Sequence, residues 1–129
     1  MLNKTVMIIE DNILHMKLFN DILESQGYTT LRASDGETAL ELARTNSPDL
    51  ILLDIQLPLI SGFAVIKQLK SELGLKDIPV VAITAMDERM GGDRYLREGF
   101  DGYLSKPITV PNMLQTIAGF ISPKPIMVH

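Results

Sequence analysis

Glu10 and Asp11 follow one short apolar run, Asp54 closes a second, Thr84 a third, and Lys106 comes just after a fourth strand-like stretch. In an open α/β sheet the working groups collect at the carboxyl ends of the strands, where the winding direction reverses. If the first and third strands are neighbours, Glu10, Asp11 and Asp54 share one corner. At ~5 Å and an effective dielectric of ~20, each such pair repels by about 3 kcal/mol, so a carboxyl must hold its proton or a cation must be supplied. Oxygen donors without His or Cys point to a hard ion, Mg²⁺ above all. A carboxylate is also a competent nucleophile toward phosphorus. A divalent ion and the Lys106 ammonium would neutralise the equatorial oxygens in a transfer, and the Thr84 hydroxyl would hold one of them. Asp54, at the centre of the sheet edge, is the preferred nucleophile. Each residue alone has a plainer role, with Glu10 and Asp11 capping a helix and Asp54 opening a turn. The whole set at the right strand ends favours chemistry.

Short strands and amphipathic helices alternate to position these groups. Residues 6–9, 28–33, 49–53, 80–84 and 102–104 read as strands, and three of them are continuously apolar, as strands buried on both faces should be. Residues 13–25 place Leu18, Phe19, Ile22 and Leu23 on one helical face, with Gly27 ending the helix. Ser34 and Glu37 form a capping-box pattern for a second helix carrying Ala39, Leu40 and Ala43. Residues 62–73 bury Ile66, Leu69 and Leu73, and a last helix has Pro111 near its start with Met113, Leu114, Ile117 and Ile121 inward. Repeated β/α units imply an α/β fold, a parallel sheet with helices on both faces.

A chain of 129 residues suffices for one domain with a core, and 46% apolar with 22% charged residues is globular composition. No cysteine is present, which removes disulfides and thiolate chemistry and fits a reducing compartment. A net charge of −4 argues against broad binding to nucleic acid or anionic lipid. Apolar runs such as Leu50–Leu53 fall far short of a membrane span, and Met1–Lys4 leads straight into a strand without a signal segment. The expectation is a soluble, cytoplasmic, single-domain protein.

Over nearly its whole length the chain resembles the receiver domain of two-component response regulators. The resemblance rests on Ile8-Ile9-Glu10-Asp11-Asn12, Asp49–Asp54, Leu57-Pro58 through Ser61-Gly62, Pro79–Ala85 and Tyr103-Leu104-Ser105-Lys106-Pro107. It implies a flavodoxin-like, doubly wound sheet of order 2-1-3-4-5 with five helices, residues 1–122 forming the receiver and 123–129 a short tail. It implies that Asp54 accepts a phosphoryl group from a histidine on a sensor histidine kinase or phosphotransfer protein. Asp11 and Asp54, with Glu10 acting through water and the backbone carbonyl of Gln56, would hold Mg²⁺. Thr84 matches the switch hydroxyl, Tyr103 the aromatic that swings inward behind it, and Lys106 the phosphoryl contact. Lys106-Pro107 is a candidate cis peptide.

Asn12, Met16–Asn20, Gln26–Tyr28 and Asp54–Pro58 are similar to the stand-alone DivK-type regulators of bacterial cell division and polarity. With little chain after the fifth helix, output is expected through a downstream protein target, from a monomer or weak dimer. Such a switch catalyses only its own phosphorylation and slow dephosphorylation. A phosphorelay intermediate and a pseudo-receiver are the nearest alternatives. An aspartate-nucleophile phosphatase of the haloacid dehalogenase type would need an acid where Gln56 stands, and a flavin module would need a phosphate loop where Glu10 and Asp11 stand.

Gln56 and Met86 occupy positions that set acyl-phosphate lifetime in the family, and their types lean toward a long-lived group. Gly91-Gly92 would loosen a fourth helix or precede one that starts late, near Asp93. His15 lies near the inward stripe and reads as a partly buried, hydrogen-bonded side chain rather than a phosphoryl carrier. Leu14, His15, Leu18 and Pro107 form the expected docking patch for a partner helix.

Overall fold

Val, Ile and Leu fill residues 6–9, 50–53 and 80–83 almost without interruption, so neither side of these segments tolerates water and they must lie mid-sheet. The computed structural model describes residues 4–85 and 93–121. The order is β1 (Thr5–Ile9), α1 (Ile13–Ser25), β2 (Thr29–Ala33), α2 (Gly36–Asn46), β3 (Leu50–Asp54), α3 (Gly62–Ser71), β4 (Val80–Thr84), α4 (Asp93–Arg97), β5 (Gly102–Ser105) and α5 (Val110–Phe120). All pairings are parallel and the sheet order is β2-β1-β3-β4-β5, as expected.

The two-residue period of the strands divides the core. Met7, Ile9, Ile51, Leu53, Val80 and Ala82 face α2, α3 and Tyr95 of α4. Val6, Ile8, Leu50, Leu52, Val81 and Ile83 face Phe19 and Leu23 of α1 and Met113 and Ile117 of α5. Each fully buried aliphatic side chain contributes about 1.5–3 kcal/mol, so both faces are committed and the register cannot slip.

Three local expectations are corrected. Asp35, not Ser34, caps α2, its Oδ1 accepting the Thr38 N–H at 2.8 Å; a carboxylate there also favours the positive end of the helix dipole. Leu18 is 48% exposed, and its inward place on α1 is taken by Asn20, whose Oδ1 accepts from the Thr30 hydroxyl at 2.5 Å. Leu73 is exposed because α3 ends at Ser71 and Glu72 turns extended; Leu75 fills the core instead. Leu114 is half-buried, while Ile121 packs on the α1–α5 core. Among the described residues no helix is long and apolar enough to cross a membrane.

Candidate functional site

β1 and β3 pair Ile9 with Leu53, so the residues that follow them emerge side by side. Glu10, Asp11 and Asp54 each offer an oxygen, all within 4.8 Å of one another. Glu10 and Asp54 are buried, at 1% and 2% exposure, whereas Asp11 is exposed.

Backbone donors fix the carboxylates. Asn12 caps α1 by accepting the His15 N–H, and its own N–H donates to Glu10 Oε2 at 3.1 Å. The Gln56 N–H donates to Asp54 Oδ1 at 2.8 Å while the Gln56 residue is exposed. That turn is pressed against Gly62, whose N–H donates to the Ile55 carbonyl at 2.9 Å. A Cβ at Gly62 would stand 2.7 Å from Ile55 Cα and 2.9 Å from the Asp54 carbonyl, which leaves room only for glycine.

Lys106 reaches the site from the far side of β4, its Nζ 3.3 Å from Asp54 Oδ2. Its backbone N–H donates to the Thr84 carbonyl at 2.7 Å, and the Lys106-Pro107 bond is cis, as expected. Burial pushes the Glu10 carboxyl up to about 7; the adjacent Asp54 carboxylate pushes the same way, against the Asn12 N–H and the Lys106 charge. Among the described residues Glu10 Oε1 is buried with no hydrogen-bond partner. An orphaned carboxylate oxygen in an all-oxygen set fits a hard divalent cation.

Thr84 is 5% exposed, and its Oγ1 lies 2.7 Å from the hydroxyl of Tyr95. The Tyr95 ring in turn lies 5.9 Å from that of Tyr103, which is 39% exposed. Sequence reasoning passed over Tyr95; its signal was a hydroxyl-bearing aromatic in the short helix after the fourth strand.

The docking patch is brought together in part. His15, Leu18, Phe19, Lys106, Pro107 and Ile108 line a groove of about 450 Å³, while Leu14 is 77% exposed and stands outside it. The hydrogen bond expected of His15 is not made at Nδ1, which is 3.9 Å from Glu10 Oε2, beyond hydrogen-bond range, and has no partner among the described residues. Met86, Gly91-Gly92 and the tail at 123–129 lie outside the described residues.

Residues 6–118 match the family described as response regulator receiver domain. The chain is 48% identical over 120 residues to the polar-differentiation response regulator DivK of Brucella ovis, covering 93% of this chain and 98% of the relative. Its fold superposes on the chemotaxis response regulator CheY4 of Vibrio cholerae with a TM-score of 0.87 at 24% identity, covering 93% of this chain and 100% of that one. The receiver domain of the sensor histidine kinase PA1611 of Pseudomonas aeruginosa, solved with magnesium in its active site cleft, gives a TM-score of 0.83 at 26% identity, covering 93% and 98%.

Proposed function

The chain belongs to the response regulator receiver domain family, and on that premise we propose that it is a phosphorylation-switched protein-binding module with Asp54 as the phosphoacceptor. The observation that carries the reading is a buried carboxylate at the centre of the sheet edge with an ammonium 3.3 Å away and two further carboxylates within 4.8 Å. An Asp54 oxygen attacks the phosphorus of a phosphohistidine on the partner. The oxygen–phosphorus bond forms as the nitrogen–phosphorus bond breaks, and the electron pair leaves with the imidazole nitrogen.

Each neighbouring group has a task in that step. The Gln56 N–H fixes one Asp54 oxygen and so orients the other. Lys106 follows the negative charge from the carboxylate to the transferred oxygens. Glu10, Asp11, Asp54 and the Gln56 carbonyl would hold Mg²⁺, which when bound neutralises charge on the incoming phosphoryl group. Thr84 binds a phosphoryl oxygen, and Tyr103 moves inward behind it, shifting a pre-existing equilibrium of the α4–β5–α5 face.

The DivK relative is named a polar-differentiation response regulator, which supports a role in bacterial cell-cycle or division control. The groove beside α1 suits an apolar helix of a histidine kinase or phosphotransfer protein, since it opens directly onto Lys106. The test is intact mass after incubation with a small acyl-phosphate donor, with and without Mg²⁺, beside Asp54→Asn. One added phosphoryl mass that requires both Mg²⁺ and Asp54 is expected; labelling of folded Asp54→Asn would overturn the assignment.

A further inference from the structure

Thr84 continues the row of Val80 and Ala82 along β4, so the strand pleat turns its side chain toward α4. Tyr103 pairs with Ala82 across β4 and β5, which puts it on the same face, one step along from Thr84. Tyr95 meets both, through its hydroxyl to Thr84 at 2.7 Å and through its ring to Tyr103 at 5.9 Å. Its ring is 2% exposed, stacked on Phe63 at 6.0 Å and edge-on to Phe100 at 6.3 Å. Arg94 covers the Phe63 ring from 4.6 Å.

We propose that Tyr95 is a positioning residue that latches Thr84 in the unphosphorylated state and couples its release to movement of α4. The inference rests on Asp54 being the phosphoacceptor. Phosphoryl oxygens only accept hydrogen bonds, so Thr84 must give them its single proton. Either hydroxyl of the Thr84–Tyr95 pair can donate the 2.7 Å bond between them, and drawing the Thr84 oxygen toward the phosphoryl group breaks that bond whichever donates. Turning away from Tyr95 strands a buried hydroxyl whose partner among the described residues is Thr84, and a buried hydroxyl without a partner is costly. The ring must therefore shift, and it cannot do so without disturbing Phe63, Phe100 and Tyr103, which carries the change to the outer face of α4 and β5. The latch opposes the switch, and its strength sets how readily the phosphorylated conformation is reached.

Beryllium fluoride with Mg²⁺, a stable mimic of the phosphoryl group, reads this directly when titrated by NMR against four proteins: wild type, Tyr95→Phe, Thr84→Val and the double variant. Tyr95→Phe keeps the ring packing and removes only the hydroxyl. It should bind the mimic about 3- to 10-fold more tightly than wild type, the scale of one neutral hydrogen bond. In the Thr84→Val background the same change should have no effect, because nothing remains to be released. Unchanged or weaker binding by Tyr95→Phe, or an equal gain in both backgrounds, would overturn the latch. Failure of wild type to bind the mimic at all would remove the phosphoacceptor reading and the latch with it, while binding by wild type without the cycle would remove the latch alone. A purely structural role for Tyr95 would shift the unfolding midpoint without this coupling.

Discussion

Lys106 Nζ lies 3.3 Å from Asp54 Oδ2, an ion pair between residues 52 apart in the chain. Two strands, β3 and β5, flank β4 and deliver the partners from opposite sides. The lysine keeps 24% of its side chain exposed against 3% for the aspartate, so solvent screens the pair and its worth to stability is modest. Its importance is local, as the cation that meets the acidic corner.

Lys106→Ala should therefore permit phosphoryl uptake but uncouple it from the output face. Amide shifts in β5 and α5 that accompany phosphorylation of the wild type should be largely lost in the phosphorylated variant. An unchanged shift pattern would count against the role assigned to Lys106.

Glu10 ties stability to pH. Its carboxyl rises from 4.5 in the unfolded chain to about 7 in the fold. Between these values the folded chain holds a proton that the unfolded chain has lost, so metal-free stability falls as pH rises from about 4.5 to about 7, then levels off. The loss is on the order of 3 kcal/mol at most. Urea unfolding at pH 5 and pH 8 should show it, and Glu10→Gln should flatten the slope; equal slopes in the two proteins would refute it.

The same proton competes with metal. Mg²⁺ affinity should climb with pH until about 7 and then plateau, with proton release on binding below that point. Calorimetry in two buffers of different ionisation enthalpy measures the released proton. Asp11→Asn, which removes the exposed member of the trio, should weaken Mg²⁺ binding by about tenfold or more, the cost of one misplaced ligand charge.

Gly62→Ala should cost about 1–3 kcal/mol, since the added Cβ is driven into the backbone behind Asp54. It should also slow phosphoryl uptake, because the Gln56 N–H that orients Asp54 belongs to the displaced turn. Normal uptake in a variant whose urea midpoint has dropped would separate the two effects and deny the second.

Leu59 combines a left-handed backbone, φ of 71°, with 98% exposure. Leu59→Asn relieves a conformation that disfavours leucine and removes an exposed apolar group, so stability should rise by about 0.5–1 kcal/mol. A lower urea midpoint would show that the leucine makes a contact in solution that outweighs the strain.

Much of this protein was written in the order of its residues. Apolar runs at 6–9, 50–53 and 80–83 can only be buried parallel strands, and the helices between them dictate crossovers. Glu10, Asp11, Asp54, Thr84 and Lys106 were legible because each sits directly at or after a strand end, where topology gathers functional groups. Local competition was not legible. Ser34 and Asp35 both can cap a helix, and only the start of α2 at Gly36, which brings the Asp35 carboxylate to the Thr38 N–H, decides between them. Leu18 and Leu73 fit helical stripes, yet the orientation of α1 leaves Leu18 half exposed and the end of α3 at Ser71 leaves Leu73 outside.

Distances between groups on different elements belonged to the tertiary structure alone. The raised Glu10 carboxyl needs both burial and a neighbour 44 residues away in sequence at Asp54, and neither is a property of a segment. The Thr84–Tyr95 hydrogen bond arises because the pleat of β4 and the packing of Phe63, Tyr95 and Phe100 bring two hydroxyls to 2.7 Å. Periodicity says which face a side chain uses; only close packing says which atom it meets there.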